Sequence, residues 1–61
     1  MTEPVLWDIK STAAQLGVSV KLVRRMVTDG EIPFLKVASL IRFQPERIRE
    51  WVAEREIKAV K

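Results

Sequence analysis

A small α+β domain, mostly α, is what this 61-residue sequence predicts, and three observations carry the prediction. Two runs with apolar residues at helical spacing, Ile9 to Leu16 and Val23 to Val27, are split by a turn at Gly17. Behind them, "IPFLKVASLIRF" has the β-branched and aromatic character of two short strands. A last helical pattern opens at Pro45, a residue suited to the first helical position because its missing N–H is not needed there.

Residues 1–6 contain Pro4 and no periodicity, and read as a flexible arm. Asp8 is placed to cap a first helix whose apolar positions Ile9, Ala13 and Leu16 follow i, i+4, i+7. Gly17 ends that helix, since a left-handed residue is cheapest as glycine. Ser19 caps a second helix, in which Val23, Met26 and Val27 form the inward stripe and Gly30 the stop. Helices this short, joined by so tight a turn, cannot lie antiparallel over a long contact and must cross steeply.

Pro33 disfavours helix at its predecessor, so strands are expected over 32–37 and 40–43. A hairpin of that length needs the helices to pack on. In the third helix Gln44 is a poor cap, and Ile48, Trp51 and Val52 are expected to face inward. Glu46, Glu50 and Glu54 should line the outer side, with Glu54 pairing to Lys58. Helix, turn, helix, two-stranded wing, helix: the order describes a winged helix-turn-helix over 7–54. Residues 55–61, "REIKAVK", are left as either a frayed helix end or a short handle for a protein partner.

Composition narrows the function. A chain this short hides only about 60% of the surface its unfolded form exposes, so it holds one domain of marginal stability. The absence of cysteine and histidine excludes a zinc finger, and no other metal site or cofactor is expected. With no His, Cys or Tyr the usual bases and several nucleophiles are missing, and no Gly-rich phosphate loop is present, so an enzyme is not expected. No apolar run is long enough for a membrane span, and "MTEPVLW" lacks the basic start of a signal peptide. The expectation is a cytoplasmic protein.

The net charge of +3 conceals a segregation. Residues 9–28 hold Lys10, Lys21, Arg24 and Arg25 and no acid, and residues 32–45 hold Lys36 and Arg42 and no acid. The rest of the chain sets five cations against eight acids, a balance of −3. A positive face of that kind is the footprint of a polyanion binder. On the second helix, opposite the apolar stripe, Lys21, Arg24, Arg25 and Thr28 fall at i, i+3, i+4, i+7. Such cations reach phosphates, and an arginine can also grip guanine O6 and N7 in the major groove. A face kept only for solubility normally mixes both signs. Ser19 is placed to offer its hydroxyl and nearby amides to a phosphate. Lys36 and Arg42 flank the hairpin tip, either as groove or backbone contacts or as edge-strand charges that discourage aggregation. Trp7 and Trp51 read as core, because no other aromatics interleave with cations as a single-strand stacking platform would require.

At "AAQLGVSVKLVRRMVTDGEIPFLKV" and "IRFQPERIREWV" the sequence resembles the excisionase family of small winged-helix proteins, related in fold to the DNA-binding domains of MerR-type regulators. The matching tags are Ala13-Ala14, Leu16 to Ser19, Gly30 to Pro33, Lys36-Val37, Arg42-Phe43, Pro45-Glu46 and Trp51-Val52. The resemblance implies a recombination directionality factor of a phage or mobile element in a bacterial host. Such a protein binds and bends attachment-site DNA beside a site-specific integrase, cooperatively with further copies of itself, and favours excision. It also implies recognition-helix contacts from Ser19, Val20, Lys21, Arg24, Arg25 and Thr28, and wing contacts from Lys36, Ser39 and Arg42. The wing tip departs from the family pattern: a glycine-containing turn is replaced by Ala38-Ser39, uncharged and less free to adopt positive φ. A small transcriptional regulator of prophage or plasmid genes, using the same face, is the alternative. From a different class, a protein adaptor would meet an acidic partner with that face.

Overall fold

The structure, a computed structural model, describes residues 5–56. Its elements run α1 (Ile9–Leu16), α2 (Val20–Thr28), β1 (Leu35–Val37), β2 (Leu40–Arg42) and α3 (Pro45–Glu54), the winged helix-turn-helix order expected from the sequence. Each of the first two helices starts on a side-chain cap. Asp8 Oδ1 accepts from the Ser11 N–H at 2.7 Å, and Ser19 Oγ accepts from the Leu22 N–H at 3.1 Å. Each ends on a left-handed glycine, Gly17 at φ 72° and Gly30 at φ 70°. There the Gly17 and Val18 N–H groups return to the Ala14 and Ala13 carbonyls, and those of Gly30 and Glu31 to Val27 and Met26. Both closures occupy carbonyls the helix itself leaves open. Helix α3 has Pro45 in its first turn and no side-chain cap from Gln44.

The core gathers one or two residues from almost every segment: Trp7, Ala13, Val23, Ile32, Phe43 and Ile48. Half-buried Ile9, Leu16, Val20, Met26, Val27, Ile41 and Trp51 pack around it. Thr12, absent from the expected core, is fully buried, and its hydroxyl has no hydrogen-bond partner among the described residues.

Three expectations need correction. The strands are shorter than 32–37 and 40–43, because Pro33 has no N–H to give a ladder and Ile32 is buried as a connector. Phe43 leaves β2 to bridge Trp7 instead, with reciprocal N–H to carbonyl bonds of 2.8 and 2.9 Å. Val52 does not face inward: it is 43% exposed, one helical step around from Trp51, on the rim of an apolar groove shared with Leu16 and Val18. The hairpin tip does take positive φ, at Ala38 (58°), despite its lack of glycine. Glu46, Glu50 and Glu54 are exposed as expected. The expected partner of Glu54, Lys58, and most of the C-terminal tail lie outside the described residues.

Candidate nucleic-acid interface

Helix α2 separates its two faces cleanly. Val23 is fully buried, and Val20, Met26 and Val27 pack against the core beside it. Lys21, Arg24, Arg25 and Thr28 are all exposed on the other side. Apolar packing thus fixes the helix's rotation, and the two terminal motifs fix its length. The four outward side chains form one continuous stripe, with Lys21, Arg25 and Thr28 along its middle and Arg24 at its flank.

The polar partners of these side chains differ. Arg25 Nε lies 3.9 Å from Asp29 Oδ2, one turn on, with the Arg25 side chain 78% exposed. That spacing is loose, and such surface pairs contribute little to stability. The contact is made by Nε, and neither terminal nitrogen of Arg25 has a partner among the described residues. Among the described residues no carboxylate pairs with Lys21 or Arg24. The i+4 spacing of Asp29 from Arg25 is the sequence signal for this pair.

Ser19 is exposed, and while its Oγ accepts the Leu22 N–H its hydroxyl hydrogen remains available to a ligand. The Val20 side chain turns toward the core, so what Val20 offers at the surface is its backbone N–H in the first turn.

On the hairpin the register pairs Leu35 with Arg42, Lys36 with Ile41 and Val37 with Leu40. Cross-strand partners share a face, so Lys36 and Arg42 lie on opposite faces. They do not jointly flank the tip. Lys36 is exposed one pair back from it, and Ser39 is exposed at the tip itself. Arg42 sits at the root, half-buried, where Nη1 donates to the Ile41 carbonyl at 2.7 Å. Its charge is felt at Asp8, whose carboxyl is held below its ordinary range mainly by the Ser11 N–H, with the Ser11 side chain and Arg42 adding to the effect. Val37 and Leu40 are apolar and exposed at the tip end of the face that Arg42 shares.

Among the described residues no group of acidic side chains could hold a metal ion, and no helix is long and apolar enough to cross a membrane. A family model described as a helix-turn-helix domain matches residues 8–61, so the chain belongs to that family. No curated protein and no solved structure matches the chain significantly.

Proposed function

We infer, from a helix-turn-helix domain that presents an unbroken cationic stripe, that this chain seats α2 in the major groove of duplex DNA as the excisionase of a phage or mobile element. The observation that carries the DNA reading is the α2 stripe itself: Lys21, Arg24 and Arg25 exposed together, opposite the fully buried Val23. In this reading Arg25 is the base reader. Its Nε is turned to Asp29, which frees the two terminal nitrogens for the O6 and N7 of a guanine. Arg24 and Lys21 hold phosphates, and Ser19 adds its hydroxyl. Lys36 and Ser39 make the wing contacts, and Arg42 braces the root of the hairpin. The excisionase role rests on the family resemblance of the tags from Ala13 to Val52, with the attachment-site DNA, the integrase and further copies of the chain as partners.

Binding measured against salt tests the first part. Each neutralised phosphate contributes a slope of about −0.9 in log K against log salt. Lys21, Arg24 and Lys36 together therefore predict about −2.7. If duplex DNA is not bound in this salt-dependent way, the DNA reading fails and the adaptor that meets an acidic protein partner is left. Arg25→Ala should lose about 1–3 kcal/mol on the cognate site and less where the contacted base is changed. Arg24→Ala should weaken all sequences alike and reduce the salt slope by about one. Excision of an attachment-site substrate by its integrase, with and without this chain, tests the second part. Equal excision in both arms, together with specific DNA binding, would assign the chain to transcriptional regulation instead.

A further inference from the structure

The hairpin is too short to hold its own position, with three residue pairs and a two-residue tip. Its orientation is therefore set where its two strands are rooted. The β2 root is tied by Phe43, which exchanges two backbone hydrogen bonds with Trp7. The β1 root is tied differently. Glu31, in the connector between α2 and β1, gives its N–H to the Met26 carbonyl at 2.8 Å. Its own carbonyl accepts the Trp51 indole N–H, also at 2.8 Å, from a residue twenty positions away on α3. The Arg55 guanidinium stacks over the Trp51 ring, 4.4 Å from its centroid, and Nη2 lies 3.4 Å from the same carbonyl. One residue is thus held by α2 on its amide side and by α3 on its carbonyl side. The next residue, Ile32, is buried, and Pro33 stiffens the step into β1.

We propose that Trp51, braced by Arg55, is a positioning residue that fixes the α2–β1 connector and so sets where the wing stands relative to the outward face of α2. Its effect on DNA rests on the reading given above, while its effect on the connector does not. Packing explains a large apolar ring at position 51, but not the aim of its N–H at Glu31. A half-buried indole with a single donor is well suited to such a tie, because leaving that donor unpaired is costly.

Trp51→Phe keeps an aromatic ring for Arg55 to cover and removes the donor together with the second ring of the indole. In the free protein, nitrogen-15 relaxation and amide exchange should show faster motion and weaker protection over Glu31 to Lys36, with α1 and the start of α2 unchanged. On DNA, affinity for a duplex long enough to meet both α2 and the wing should fall about fivefold, the scale of one neutral hydrogen bond. Affinity for a duplex trimmed to the α2 contact should stay as in the parent. Arg55→Met, at an exposed position, should give the same pattern at smaller amplitude, and it answers the question if Trp51→Phe does not fold. Unaltered connector amides in a folded variant would overturn the proposal, as would equal losses on the two duplexes. If the parent chain binds neither duplex, the DNA reading fails, and the relaxation experiment still decides the role of Trp51.

Discussion

Ala38 offers the sharpest test of the backbone, because it sits at φ 58° where an alanine is strained. A non-glycine residue in the left-handed region costs about 1–2 kcal/mol, from the approach of its Cβ to the following carbonyl. Ala38→Gly removes that cost. It also gives the unfolded chain more freedom, which takes back about 0.5–1 kcal/mol. The expected balance is a stabilisation of about 0.5–1 kcal/mol, which in a domain of this size raises Tm by about 2–8 °C. The converse holds at Gly17 and Gly30, with φ of 72° and 70° and nothing within 4 Å of an added Cβ. Alanine there meets no clash and should cost only the backbone term, about 1 kcal/mol. Thermal and urea unfolding of the three variants, read as one set, checks the sign as well as the size. A lower Tm for Ala38→Gly would refute the reasoning, since it would mean that Ala38 occupies ordinary extended or helical backbone in solution.

The remaining expectations concern single side chains. Thr12→Val should raise stability by about 1 kcal/mol in urea unfolding, because it replaces a fully buried hydroxyl that has no described partner with a methyl group of similar size. Asp8 has a folded pKa below its unfolded value, so its stabilising contribution is complete above the ordinary carboxylate pKa and disappears as pH falls through the lowered one. Asp8→Asn, which can still cap α1, should flatten the loss of Tm in acid relative to the parent. Ser19→Ala should cost about 1 kcal/mol of stability by removing the α2 cap. Ser19→Asp should keep that stability yet weaken DNA binding, because it sets a carboxylate where a phosphate is expected; unchanged affinity in a gel-shift titration would remove Ser19 from the interface.

What the sequence disclosed and what it withheld follow from the range of the forces involved. The caps at Asp8 and Ser19, the stops at Gly17 and Gly30 and the start at Pro45 are local chemistry, settled within about four residues, and each can be read directly. The inward stripe of α2 is legible for a similar reason: Val23, Met26 and Val27 oppose three cations within about two turns. Val52 misled because α3 carries apolar residues at both 51 and 52, and periodicity alone does not say which side meets the core. The Trp7–Phe43 bridge and the bond from Trp51 to Glu31 join residues far apart in sequence, and no local pattern announces them. The place of Arg42 also depends on a pairing that local pattern does not show. Its distance from the tip depends on where the strands end, and pairing with Leu35 puts it at the root.

These long-range ties bear on how so small a domain could read DNA. Val23 is the single fully buried residue of α2, so packing alone grips the helix over a narrow stripe. Its ends are held by backbone motifs: a serine cap at one and the Gly30–Glu31 closure at the other. The second closure shares Glu31 with Trp51, so the element that ends the helix also launches the wing. A displacement of α2 would therefore carry the hairpin with it, and the two would approach a duplex as one unit rather than as two independently mobile parts. On the proposed DNA reading that coupling would lower the ordering cost of binding, because the tie at Glu31 would set the relative placement of helix and wing before the duplex is met.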